Sequence, residues 1–233
     1  MPLWEGREWF SYPLEPGAPG HEPWGIVETG PPELVGRRVT FMSQRAFAGH
    51  ALVPVEHVVP LPPGLSDPFP GEALACAVNV ARRARVQPGE RVAIVGMGFL
   101  GSAVAQLVEA TPVRREDEPA AESFDVVIEA AGTQEALDEA SRLVATRGRL
   151  VIAGYHQDGP RTVDIQSWNW RGIDVVNAHE RDPLAYVDAM REAVSALDPR
   201  PLVTHSFPLE RLGEAFEAAR ERPAGFVKAW VEP

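Results

Sequence analysis

Gly96, Gly98 and Gly101 fall in the pattern G-x-G-x-x-G, directly after the apolar run Val92-Ala93-Ile94-Val95 and directly before Ser102-Ala103-Val104-Ala105. The first glycine permits a tight turn, the second lets a phosphate approach bare backbone, and the third lets a helix pack closely on the strand. The amides that open such a helix, here Phe99 and Leu100, then face an anion. The chemistry is retention of a dinucleotide pyrophosphate. A glycine-rich turn of another α/β protein is the competing reading, and the strand before and helix after disfavour it. The acid that binds the adenosine ribose belongs about 20 residues beyond the glycines, which here falls on Arg114-Arg115-Glu116-Asp117-Glu118. Glu116 or Asp117 would accept from the ribose hydroxyls and select NAD. Arg114 and Arg115 would pair with a 2′-phosphate and select NADP. A solvated charged loop is the third reading; paired arginines in an acidic chain tip the choice towards NADP.

The nicotinamide half needs the carboxyl ends of parallel strands, where open α/β sheets hold ligands. Ala131-Gly132 and Ala153-Gly154 end two such runs. His179 and Glu180 follow the last strand, and an imidazole there can relay a proton near neutral pH. Ser167-Trp168-Asn169-Trp170 reads either as pocket lining or as packing.

Alternating elements must position these groups. Strands are expected at Arg91–Val95, Asp125–Ala130, Arg149–Ala153 and Ile173–Ala178, and helices at about 99–110, at Gln134–Val144 and at Pro183–Ala196. Only thirteen residues, Thr111 to Ser123, separate the glycine-loop helix from the next long strand. They hold one short strand at Thr111–Arg114 and a loop, but not a further helix and strand, since a crossover takes about 10–12 residues. The expected fold is α/β, with a truncated parallel sheet of about five strands. Before it, Gly25–Thr29, Arg38–Phe41 and Gly49–Pro54 read as short strands of a small β domain. Val58–Gly64 reads as an extended connector and Gly71–Arg85 as a helix. The tail, 201–233, reads as short strands around a helix at Leu209–Arg220.

Composition narrows the function classes. The 233 residues carry a net charge of −11, which argues against nucleic acid or an anionic membrane as partner. A single cysteine, Cys76, excludes an intramolecular disulfide and a C-x-x-C metal site. Met1-Pro2-Leu3-Trp4-Glu5-Gly6-Arg7 lacks the pattern of a secretory signal, so a cytoplasmic protein is expected.

In this order, Gly20-His21-Glu22-Pro23-Trp24-Gly25-Ile26-Val27, Val59-Pro60-Leu61-Pro62, Gly71-Glu72-Ala73-Leu74, Val95 to Gly101, Asp125 to Gly132 and Gly148 to Gly154 resemble the medium-chain dehydrogenase/reductase superfamily, in its zinc alcohol dehydrogenase-like branch. The resemblance implies a GroES-like β domain at 1–75, shortened at its start, a shortened Rossmann domain at 76–198, and a return to the β domain at 199–233. It implies NADP or NAD as cofactor, held by Gly96, Gly98, Phe99, Leu100, Gly101, Arg114, Arg115, Ala131, Gly132, Ala153 and Gly154. It makes zinc a candidate, with His21 and Glu72 as ligands and Glu22 as a neighbouring carboxylate or third ligand. His21, Glu22 and His179 become the catalytic candidates. Metal-free readings stand beside these: a hydrogen-bonded polar residue for His21 and a helix N-terminal acid for Glu72. The family's first cysteine, upstream of the G-H-E segment, has no counterpart, and the chain reads as starting after it, at Leu3-Trp4-Glu5-Gly6. A homodimer is implied, with His179 ordering the subunit contact as the alternative to catalysis. The expected function is hydride transfer between a nicotinamide and a small alcohol or carbonyl substrate. A zinc-independent quinone or enoyl reductase and a catalytically impaired binding or scaffold protein are the alternatives.

Overall fold

The structure is a computed structural model that describes residues 11–65 and 68–232. The expectations for Met1–Arg7 therefore lie outside the described residues. The chain forms two compact units, Met1–Ala75 with Arg181–Pro233, and Cys76–Glu180.

The second unit is built on strands β4 (Val92–Val95), β5 (Thr111–Val113), β6 (Phe124–Glu129), β7 (Val144–Ile152) and β8 (Asp174–Asn177). They pair in parallel in the order β5-β4-β6-β7-β8. This is the nucleotide-fold order without, among the described residues, an outermost strand beyond β5. All four residues of β4 are buried, as expected for a strand covered on both faces. Helix α3 (Gln134–Leu143) closes one core of Ala93, Val95, Val127, Leu137, Leu143 and Leu150. The Thr133 side chain caps α3 by accepting from the Ala136 amide. The glycine-loop helix α2 is shorter than expected, Phe99–Val104, and decays into turns through Val108. Helix α4 (Ile165–Arg171) takes up Ser167–Trp170. Trp168 packs on the core while Trp170 is 88% exposed, so the pair is packing and surface rather than a pocket wall.

The first unit contains an antiparallel sheet of β1 (Trp24–Ile26), β2 (Arg38–Phe41) and β3 (Val58–Pro60). Gly49–Pro54, read as a strand, is irregular, and Leu52 in it is fully exposed. The strand is instead Val58–Pro60, read as a connector. Pro60 lies on an edge strand, where its missing N–H costs the sheet little. Helix α1 (Gly71–Ala84) begins in this unit and crosses into the second. Helix α5 (Pro183–Ala196), placed by sequence with the nucleotide-binding part, belongs with the first unit. Its buried Tyr186, Val187, Met190 and Ala193 need an apolar surface, and the helix packs against β3 and the turn Val55–His57. The tail supplies β9 (His205–Pro208), α6 (Leu212–Glu221) and β10 (Ala229–Glu232), with β9 and β10 paired in parallel.

Candidate functional site

In the second unit, the turn from β4 into α2 has the shape the glycine spacing demands. Gly96 sits at φ +100°, and a Cβ there would meet Ala131 at 2.7 Å. A Cβ on Gly101 would lie 2.0 Å from the Gly96 carbonyl oxygen. Gly98 is the opposite case, exposed and with nothing within 4 Å of a built Cβ. The first and third glycines are thus fixed by close packing, while the second leaves backbone open to a ligand. Beside the turn lies a cavity of about 770 Å³, lined by Gly96 and Met97, by Val113, Arg114 and Arg115 after β4's neighbour β5, by Ala131 and Thr133 after β6, and by α3. Its size suits a small-molecule or cofactor site of about 300–1,000 Å³. Open backbone beside a cavity of this size fits a dinucleotide.

The charges around the cavity are partly committed. Asp117 lines it, but its carboxylate accepts from the Arg114 amide at 2.7 Å. Arg142 lines it but is forked onto Glu139 at 2.8 and 2.6 Å. Arg114 and Arg115 carry no ion pair among the described residues. Glu116 does not line the cavity.

His179 is exposed, stacked beside Tyr155 with ring centroids 6.0 Å apart, and is not part of the cavity wall. It follows β8 at one edge of the sheet, while the cavity forms around β5, β4 and β6. Gly154 lies against Gly132, where a Cβ would meet the Gly132 nitrogen at 2.2 Å. Between them runs a side chain that sequence reasoning missed. Glu129, fully buried at the end of β6, accepts from the amides of Ala131 at 2.8 Å and Gly132 at 2.6 Å. Its second oxygen lies 2.9 Å from His156 Nε2. The acidic residue inside an otherwise apolar strand, Val126-Val127-Ile128-Glu129, was the available signal.

In the first unit, His21 and Glu72 come together. His21 Nε2 lies 3.4 Å from Glu72 Oε1, and Nδ1 lies 3.0 Å from Gln44 Oε1. The Glu72 hydrogen bond is the main cause that raises the His21 pKa to about 9, with the charges of Glu72 and Glu22 adding and burial opposing. Glu72 is buried in the first turn of α1, where the helix dipole favours a carboxylate. Thr40, fully buried on β2, fixes this geometry. Its hydroxyl donates to the Pro23 carbonyl at 3.0 Å and accepts from the Gly71 amide at 3.1 Å. One side chain therefore ties the residues after His21-Glu22 to the residue before Glu72. Glu22 turns elsewhere, to Lys228 Nζ at 2.6 Å. Trp24 and Trp230 pack with centroids 5.8 Å apart, which brings the strand after Lys228 alongside β1.

A catalytic zinc takes three protein ligands and a water. His21 and Glu72 supply two, and Glu22 is held by an ammonium group. No group of three or more His, Cys, Asp or Glu side chains placed to hold a metal occurs among the described residues. Cys76 lies in the part of α1 assigned to the second unit. Among the described residues, the donor set does not complete a catalytic zinc site.

Comparison with known proteins agrees with this architecture. The chain is 26% identical over 194 residues to the 2-dehydro-3-deoxy-L-galactonate 5-dehydrogenase of Pseudoalteromonas atlantica, which covers 69% of this chain and 56% of the relative. It thus spans little more than half the length of that relative. A Sinorhizobium meliloti 1021 structure described as a zinc-binding dehydrogenase, bound to NADP, superposes with a TM-score of 0.77 at 21% identity, over 91% of this chain and 82% of that one. L-idonate 5-dehydrogenase of Escherichia coli K-12 superposes at 0.74 and 18% identity, over 91% and 80%. These two likenesses show the fold. Residues 103–224, slightly more than half of the chain and running from α2 to just beyond α6, match the family described as zinc-binding dehydrogenase. With the glycine turn, the sheet order and the G-H-E segment all in that family's sequence order, the chain belongs to the zinc-binding dehydrogenases, in the alcohol dehydrogenase-like branch of the medium-chain dehydrogenase/reductase superfamily.

Proposed function

We propose that this chain binds NADP or NAD in the cavity of its second unit and serves hydride transfer between the nicotinamide and a small alcohol or carbonyl substrate. The observation that carries the reading is the bare Gly98 backbone opening beside a cavity of about 770 Å³. The turn Gly96–Gly101 would take the pyrophosphate, with Phe99 and Leu100 opening the helix behind it. Ala131, Gly132, Ala153 and Gly154 end strands where the nicotinamide half would lie. NADP is the preferred form, because Asp117 is committed to the Arg114 amide and both Arg114 and Arg115 line the cavity, Arg115 also acting on Glu135 there. When bound, the nicotinamide supplies or accepts the hydride. In the first unit, His21 and Glu72 form a pair able to exchange a proton, and Glu22 holds Lys228. Two of the relatives named above are sugar-acid dehydrogenases by name, so a polyhydroxy acid or polyol is the substrate class to test first.

The Glu22–Lys228 pair favours a second reading within the same class, a metal-independent oxidoreductase. We also propose a homodimer paired through β8, with His179 beside that contact. No helix among the described residues is long and apolar enough to cross a membrane.

Fluorescence titration with NADPH and NADH, alongside metal analysis, tests the assignment. Binding of NADPH tighter than NADH, with Arg115→Ala lowering the NADPH affinity alone, is expected. Binding of neither nucleotide overturns the proposal. Nucleotide binding without turnover of any alcohol or carbonyl substrate would identify a binding protein on the same fold.

A further inference from the structure

A carboxylate with no solvent exposure needs a reason to be there, because an uncompensated buried charge is costly. Glu129 is compensated on every side. One oxygen accepts from the Ala131 and Gly132 amides, and the other faces His156 Nε2. The opposite ring nitrogen, His156 Nδ1, receives the Nε–H of Arg161 at 2.8 Å. The same guanidinium donates to the Gly132 carbonyl at 2.8 Å and to Asp158. Arginine has donors only. His156 Nδ1 must therefore present a lone pair, so the ring proton sits on Nε2 and points at Glu129. The three side chains form a hydrogen-bonded ring through Gly132, whose N–H is held by Glu129 and whose carbonyl is held by Arg161.

Gly132 joins the cavity-lining residues Ala131 and Thr133, and Ala131 is in turn packed against Gly96. The relay thus acts on the wall that faces the glycine turn. We infer that Glu129, His156 and Arg161 are positioning residues whose fixed proton order sets the spacing between the Ala131–Gly132 turn and the Gly96 turn for dinucleotide binding. This rests on the dinucleotide reading above.

The proton order makes a specific demand. In Glu129→Gln, the amide oxygen still accepts from Ala131 and Gly132, but its NH2 now faces the Nε2–H of His156. Moving the ring proton to Nδ1 relieves that clash only by creating another with the Arg161 donor. The defect is passed along the ring to Gly132. Adding Arg161→Gln gives Nδ1–H an amide oxygen to donate to and restores an unbroken order, at the loss of the contact to the Gly132 carbonyl.

The test uses the full chain, NADPH fluorescence for affinity, and long-range 15N NMR for the His156 tautomer. Wild type is expected to show the proton on Nε2. Glu129→Gln should raise the NADPH Kd about tenfold or more while melting cooperatively, and the double variant Glu129→Gln/Arg161→Gln should bind more tightly than the single one. A merely structural loss predicts no rescue, since the second substitution only removes further hydrogen bonds from the same network. Should Glu129→Gln fail to fold, the less buried Arg161→Gln alone is expected to weaken NADPH severalfold. The inference is overturned by an Nδ1–H tautomer in wild type, by unchanged affinity in Glu129→Gln or Arg161→Gln, or by a double variant no tighter than the single one. Wild type that binds neither NADPH nor NADH overturns the dinucleotide reading and takes the relay's binding role with it. Normal wild-type binding with indifferent variants overturns the relay alone.

Discussion

Gly98 and Gly101 lie three residues apart, yet a methyl group at each has a different meaning. At Gly98 a Cβ meets nothing, so Gly98→Ala should leave stability within about 0.5 kcal/mol of wild type. It should nonetheless weaken NADPH by about tenfold or more, because the methyl occupies the phosphate's approach to the backbone. At Gly101 the methyl would meet the Gly96 carbonyl at 2.0 Å, so Gly101→Ala should cost about 1–3 kcal/mol and binding together. Denaturation and titration of the two variants side by side check this, and equal stability losses would contradict it. His21 gives a pH dependence of known sign. Its folded-state pKa is raised from 6.5 to about 9, chiefly by the Glu72 hydrogen bond. The pair's contribution is therefore complete below pH 6.5 and fades as pH rises through about 9. Half-exposure of the His21 side chain keeps the effect modest. Urea denaturation of wild type and His21→Asn at pH 6, 8 and 10 should show the stability gap closing with pH; a gap that widens would contradict the assigned pair.

Elements, rather than residues, decide whether such pairs meet. Thr40 on β2 bonds both Pro23 and Gly71, and Thr40→Val would remove both bonds, leaving the Pro23 carbonyl to the Phe41 amide and the Gly71 amide to the Phe69 carbonyl. The expected loss is about 1–3 kcal/mol, readable as a lower urea midpoint with an unchanged slope. Serine, which keeps the hydroxyl, should recover most of it. The glycine turn was legible in the sequence because its constraint is local: a Cβ either fits or does not. The short insert between α2 and β6 was legible by length alone, and the sheet order β5-β4-β6-β7-β8 is what thirteen residues permit. Val58–Pro60 was misread because the strand owes its existence to pairing with β2, whereas Pro60 and the Pro62-Pro63 that follow suggest a connector. The link from Glu129 to His156 was invisible for the same reason, since 27 residues separate them and only the pairing of Glu129 with Ile152 brings their strand ends together. Glu22 and Lys228 are further apart still, joined by the packing of Trp24 on Trp230.

At the scale of the whole molecule, the parallel sheet ends on one side at β8, which among the described residues pairs only with β7. An unpaired strand edge is an invitation to another chain unless it is blunted. Asp174-Val175-Val176-Asn177 blunts this one only weakly: it has no proline and no lysine, its single charge, Asp174, stands at the start of the strand, and Val175 is 38% exposed. Two copies related by a two-fold axis could join their β8 strands antiparallel and extend each sheet across the contact. A chain of net charge −11 would ordinarily repel its own copy. Here Val176 shares a depression of about 390 Å³ with Arg82, Arg83 and Arg85, of which Arg83 is paired with Glu180 at 3.7 Å, so basic side chains rather than further acids lie beside the edge. Light scattering after size exclusion should therefore give twice the chain mass of 25.4 kDa. Val175→Lys, which adds the charge natural edges use against pairing, should return it to the monomer without loss of NADPH binding, because the cavity is lined from β4, β5, β6 and α3 and not from β8. A wild-type monomer, or a dimer indifferent to Val175→Lys, would place the contact elsewhere on the surface.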